Sequence, residues 1–197
     1  MEVVELANIN GKLNLEDENS KFILKLGSMC NDSYIYDQDG KTDVKGDPTE
    51  VAIVNAGLQY GQDKNELYKQ MKRISEISFD STRKLMTTIH EYHGKYMVIT
   101  KGAPDVLLKR SISITDGNKA LDLTSEKVEK INEYNSIMAN NALRVLAVAY
   151  KEIEELPLQI ESETIEKDLN FVRINWYDRS TASRCKGCNR YLQASRN

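Results

Sequence analysis

The sequence predicts an α/β protein of the α+β kind, with a mixed, mainly antiparallel twisted sheet flanked by helices. Three observations carry this. Short strand-like runs follow one another at 74–79, 84–92 and 95–101. Capped or amphipathic helical segments frame them on both sides. Strands and helices show no regular βαβ alternation, so an all-parallel sheet is excluded.

The elements follow in order. Residues 17–30 place Phe22, Ile23, Leu26 and Cys30 at helical spacing. Residues 31–46 are polar and turn-rich. A strong helix start comes next: Asp47 can cap, Pro48 suits the first helical position, and Glu50 falls three after the cap. Val51, Ala52, Ile53, Val54 and Leu58 continue that helix, and a second is expected around 63–71. His93-Gly94 suits a tight connection between the last two strand runs. Ala103–Leu108 reads as a short helix after a Gly turn. Residues 124–139 form a charged helix with Val128, Ile131, Tyr134, Ile137 and Met138 facing inward. Residues 143–150 read as a buried strand, and the acidic stretch 152–168 as a surface loop or helix.

A chain of 197 residues fits one domain with an adequate core. Its formal charge of −3 gives no global argument for nucleic acid or an anionic membrane. Three cysteines, Cys30, Cys185 and Cys188, are too few for a disulfide framework and point to a reducing compartment. No apolar run approaches the roughly 20 residues that span a bilayer. The start lacks the basic and apolar regions of a signal peptide. A soluble, cytoplasmic chain is expected, and any membrane role must come from a part outside it.

No catalytic set is visible: GxxxxGK[ST], GxSxG and metal-spaced histidine clusters are absent from the sequence. His90 and His93 lie three apart, on opposite faces of a strand, and read as ordinary surface residues. Three segments are more specific. Gly46–Val54 is a capped helix start. Phe79–Met86 puts an aromatic ring five residues before Lys84, where a ring can stack on a base and a lysine can meet phosphate. Thr100–Asp105 leads a lysine into Gly102-Ala103, where small residues admit a ligand to the backbone. Pro104 then opens a helix whose free N–H groups favour an anion. Each segment alone also reads as ordinary structure: a capped helix, a core Phe79 beside a solvated basic turn, a strand-to-helix turn.

Taken together, LGSMCND (26–32), GDPTE (46–50), FDSTRKLM (79–86), KGAPD (101–105) and ALRVLAVAY (142–150) resemble, in order and spacing, the nucleotide-binding domain of P-type cation ATPases, nearest the calcium-pump branch. The resemblance covers about residues 15–172. It implies that Phe79 stacks on adenine and Glu50 sits near the base or its amino group. It also implies that Lys84 meets the nucleotide's charge, that Lys101, Gly102 and Ala103 form the pocket floor, that Arg144 reaches the phosphates and that Leu146 packs on the base. Thr49 and Arg83 are adjacent candidates. The ligand implied is ATP, and the partners are the phosphorylation and transmembrane domains of a pump. The acceptor segment Asp-Lys-Thr-Gly-Thr and the magnesium-holding acids of the phosphorylation domain do not occur in this sequence. Binding of ATP without hydrolysis, and Mg2+ only with that other domain, are therefore expected.

The expected organisation is an ATP-binding domain at 1–172, with parent sequence missing on both sides, and an aberrant tail at 173–197. The tail carries Arg173, Arg179, Arg184, Lys186, Arg190 and Arg196 against one acid, Asp178. A one-base shift would account for it: synonymous codons can be chosen for 173–197 that, read from the second base, spell GLIGMIDPPQADAKDAIDTCKQAG, which resembles the continuation of such domains. On this reading the tail is disordered or adds one edge strand near 171–177. The Cys185/Cys188 pair lacks the second pair a zinc site needs. A free-standing ATP-binding or interaction module, and a small zinc- or nucleic-acid-binding protein built on the tail, are the alternatives.

Overall fold

The computed structural model describes residues 2–8, 11–38, 41–116, 119–140 and 145–177. In chain order the elements are β1 (Glu2–Glu5), β2 (Ala7–Asn8), β3 (Gly11–Lys12), α1 (Glu18–Met29), β4 (Tyr34–Gln38), β5 (Lys41–Lys45), α2 (Pro48–Gln59) and α3 (Lys64–Gln70). They continue with β6 (Arg73–Asp80), β7 (Leu85–Tyr92), β8 (Lys95–Gly102), α4 (Pro104–Lys109), β9 (Ser111–Asp116), β10 (Lys119–Asp122), α5 (Ser125–Asn140), β11 (Val145–Ile153), α6 (Ser162–Ile165) and β12 (Leu169–Tyr177).

The main sheet has the order β10-β9-β12-β11-β8-β7-β6, and β1 also pairs with β12. All pairs in it are antiparallel except β12 with β9. Side chains alternate across the sheet as the pleat requires. Met86, Ile99, Val148 and Val172 join Leu24, Leu26, Ile53 and Leu67 of α1–α3 in one core. Leu85, Ala147, Ala149 and Phe171 join Leu107 and Leu108 of α4 and Ile131 of α5 in another. The sheet is therefore covered by helices on both faces, as its sequence predicts.

Caps explain where the helices begin. The Asp47 carboxylate accepts from Thr49 N at 2.8 Å with Pro48 at the first helical position, and Asp63 accepts from Asn65 N at 2.7 Å. The β7–β8 connection is a two-residue loop with positive φ at both His93 (50°) and Gly94 (75°). That is the handedness that matches strand twist.

Several expectations are corrected. Residues 31–46 are not merely turn-rich, because β4 and β5 pair as a hairpin from Tyr34/Lys45 to Gln38/Lys41. Ile137 is 51% exposed rather than inward, since α5 is anchored through Ile131 and Met138. The acidic stretch is not wholly at the surface: Glu166 is 0% exposed. The strand at 171–177 is not at an edge, because β12 has β11 along one side and β9 and β1 as further partners. Residues 178–197, including Cys185 and Cys188, lie outside the described residues.

His90 is the sharpest correction. It is fully buried, with Nε2 2.9 Å from Thr88 Oγ1, Nδ1 3.3 Å from the Met71 carbonyl, and its ring edge-on to Tyr68. Burial, with Arg73 and Lys64 nearby, pushes its pKa down to about 4 although the Met71 carbonyl pulls the other way. A folded state that holds this imidazole neutral binds fewer protons than the unfolded chain below pH 6.5. Stability from His90 is therefore present above that pH and lost as pH falls towards 4. Urea unfolding at pH 4.5 should show about 2–3 kcal/mol less stability from this source than at pH 7.5. His90→Gln should flatten that part of the pH dependence.

Candidate functional site

A cleft of about 670 Å³ opens where the first turn of α2, the β6–β7 turn, the end of β8 and the start of β11 meet. That is the size of a small-molecule site. Every predicted site residue among the described residues lines it: Glu50, Phe79, Lys84, Lys101, Gly102, Ala103 and Leu146. Arg144 lies outside the described residues. Thr49 also lines the cleft, whereas the guanidinium of Arg83 bonds the buried Glu166 carboxylate.

Each wall has a local cause. Phe79 is the last residue but one of β6 and is 62% exposed, so its ring is held out of the core and lines the cleft. Lys84 closes the turn at a left-handed φ of 57°, with its amide bonded to the Asp80 carbonyl at 2.6 Å. Met86 sits directly across from Lys101 in the β7–β8 register, and Leu85 across from Gly102. Gly102 has φ 158°, and a Cβ built there would stand 2.1 Å from the Lys84 carbonyl oxygen. Only glycine lets the two strands approach so closely at the cleft floor. Ala103 N then donates to that same carbonyl at 3.2 Å, tying the floor to the turn.

Lys101 is only 6% exposed and forms an ion pair with Glu50 Oε1. Glu50 Oε2 accepts from Asp32 N at 3.0 Å, and the Glu50 carbonyl accepts from Asn31 Nδ2 at 3.0 Å. Glu50 thus clasps the loop after α1 and the end of β8 rather than turning back on its own helix cap. Beneath it, the Cys30 thiol is buried and donates to the Met86 carbonyl at 3.5 Å. Burial pushes that thiol's pKa up, against the pull of Lys101. Ile53, Met86, Val145 and Leu146 make the remaining surface apolar.

Of the two lysines among the described residues that line the cleft, Lys101 is paired with Glu50. Asp32, Asp47 and Glu50 gather at the α2 end, while Lys84 stands on the opposing turn. The arrangement can sandwich a flat apolar ring on Phe79, accept a hydrogen bond from that ring's amino group, and draw a negatively charged group towards lysine. Sequence reasoning missed Asp32, Asp47, Ile53, Met86 and Val145 as lining residues. Ile53 was in principle legible, three residues after Glu50 on one helical face. Asp32 arrives from the loop after α1, where Glu50 takes its amide and Arg73 its carboxylate. Among the described residues, no cluster of three or more His, Cys, Asp or Glu side chains could hold a metal ion. No helix among them is long and apolar enough to cross a membrane.

Known proteins of one family match this chain. The family model described as P-type ATPase, cytoplasmic domain N matches residues 19–174. A calcium-transporting ATPase of Bacillus subtilis (strain 168) is 40% identical over 157 residues, covering 78% of this chain and 17% of that protein. Calcium-transporting ATPase lmo0841 of Listeria monocytogenes is 37% identical over 152 residues, covering 75% and 17%. Calcium-transporting ATPase 1 of Lactococcus lactis is 35% identical over 161 residues, covering 82% and 18%. The chain therefore spans less than a fifth of the length of these relatives. With the family's model matched across residues 19–174, the chain belongs to the cytoplasmic N-domain family of the P-type ATPases.

Proposed function

We propose that this chain binds ATP in the cleft as the nucleotide-holding domain of a calcium-transporting P-type ATPase. The observation that carries the reading is the exposed Phe79 ring facing an apolar floor with Lys84 and Lys101 around it. The adenine would lie on Phe79 with its amino group towards Glu50, and the phosphates would run towards Lys84 and Arg144. Gly102 and Ala103 leave room beside the ribose, and Leu146 closes on the base. The calcium assignment rests on the similarity to calcium-transporting ATPases.

The partners proposed are the phosphorylation and transmembrane domains of such a pump, on the cytoplasmic side of a membrane. The chain alone holds ATP without hydrolysing it, because its sequence lacks the Asp-Lys-Thr-Gly-Thr acceptor segment. Magnesium enters with the phosphorylation domain. The proposed boundary stands at residue 172, with 173–197 an out-of-frame tail whose first residues, 173–177, still complete β12; the family match ends close by, at 174. Resequencing the gene around codon 173 tests the tail: an intact frame with no extra base relative to close relatives overturns it.

An ATP titration followed by amide NMR tests the site. Shifts should gather on residues 47–54, 79–86 and 101–103. Phe79→Ala should weaken ATP about tenfold or more, since stacking a base is worth about 1–3 kcal/mol. Its melting temperature should barely move, because Phe79 is mostly exposed. Unperturbed spectra at millimolar ATP overturn the proposal.

A further inference from the structure

The wall of the cleft that carries Phe79 and Lys84 is braced from the opposite face of the sheet. Arg83 lies between them in sequence, yet its side chain leaves the cleft. Its Nη1 forms an ion pair with Glu166 Oε1, and its Nη2 donates to the Ser78 carbonyl at 2.6 Å. That second bond holds the residue just before Phe79. The same turn is pinned again where Arg83 N donates to Asp80 Oδ1 at 2.7 Å.

Glu166 is fully buried and serves more than one partner. Its Oε1 also accepts from Thr87 Oγ1 at 2.7 Å, and Thr87 Oγ1 is 3.0 Å from Thr100 Oγ1, the neighbour of Lys101. Its Oε2 pairs with Arg110 Nη1 at 3.2 Å, and Arg110 caps the far end of α4, the helix that leaves the cleft floor at Ala103. A carboxylate supplied by the segment just after α6 therefore fixes the aromatic wall and the far end of the floor helix together. A buried carboxylate held by two guanidiniums and a hydroxyl is firmly placed, because each partner it gives up costs a charge-assisted hydrogen bond that no water replaces.

We infer that Glu166, acting through Arg83, is a positioning residue for the nucleotide: it holds the β6–β7 turn so that Phe79 presents its ring to the cleft. This rests on the ATP-binding reading. Glu166 does not line the cleft, so its loss should change affinity chiefly by releasing Phe79.

The test measures ATP dissociation constants of the full chain by NMR titration, with folding checked by thermal melting. Glu166→Gln should raise the ATP Kd about tenfold while retaining a cooperative melt. Arg83→Gln, at a partly accessible position, should do the same and stands in if Glu166→Gln does not fold. The discriminating readout is a double-mutant cycle. In a Phe79→Ala background, either change should alter the Kd less than about twofold, because the ring it positions is gone. An unchanged Kd in a folded Arg83→Gln or Glu166→Gln variant overturns the inference. So does a full tenfold loss on top of Phe79→Ala, which would mark general loosening. Failure of the unmodified chain to bind ATP overturns instead the reading on which this rests.

Discussion

Glu50→Ala is expected to lower the unfolding free energy by about 3–5 kcal/mol, the range for stripping one partner from a buried ion pair. Lys101 is 6% exposed, and the Glu50 carboxylate is its ion-pair partner. Removing the acid leaves an ammonium ion out of water with no counter-charge. It also leaves Asp32 N without the acceptor it finds at 3.0 Å. Urea denaturation at pH 7.5 measures the loss. A matching Lys101→Met change removes the opposite charge, and Glu50 keeps its bond from Asp32 N. Combining the two should cost clearly less than the sum of the single changes, because each then removes the charge the other stranded. Additive losses would show that the pair is not coupled. If Glu50 also orients a base, the double variant should recover stability while ATP affinity stays weak.

Gly102→Ala should be comparably severe for a different reason. The new methyl would stand 2.1 Å from the Lys84 carbonyl oxygen and 2.7 Å from Leu85 Cδ2. A backbone oxygen cannot swing away as a flexible side chain can. Either the β7–β8 pairing opens at Leu85/Gly102 or the Lys84 turn moves out. Both outcomes break the 3.2 Å bond from Ala103 N to Lys84 O. Overpacking and a backbone conformation disfavoured for alanine together make about 3 kcal/mol or more a reasonable expectation. Urea denaturation reads the stability, and amide shifts at 79–86 read the displaced turn. A folded variant with unchanged shifts there would show that the close approach is not required.

What the sequence made legible, and what it hid, follows from the range of the forces involved. The helix at Asp47 was readable because a cap, a proline and an apolar stripe all act within a few residues. The three central strands were readable because Ile, Val, Thr, Tyr and Met crowd short runs such as LMTTIHEY and KYMVITKG, with a His-Gly turn between them. The β4–β5 hairpin was overlooked because β5, KTDVK, is almost wholly polar, and the Asp39-Gly40 signal after the strand-forming Tyr34-Ile35-Tyr36 was read as loop. Pairing of β9 with β12 joins Ser111 to Leu169 and could not be seen locally. His90 misled because strand alternation says which face a residue takes but not what covers it; Met71 and Tyr68 do so here. The cleft residues came from ordered motifs. Glu166 had no such mark: an acid in an acidic stretch reads as surface until Arg83 and Arg110 are seen converging on it.

The place of β12 has a kinetic consequence. Val145 and Leu146, at the back of the cleft, are register partners of Asn175 and Ile174, and β1 and β9 depend on the same strand. During synthesis, nearly the whole domain must leave the ribosome before its sheet can close. Until then β1, β9 and β11 each wait with an unsatisfied edge, exposed to mispairing. Refolding should be correspondingly slow, limited by bringing these distant stretches together rather than by forming any helix.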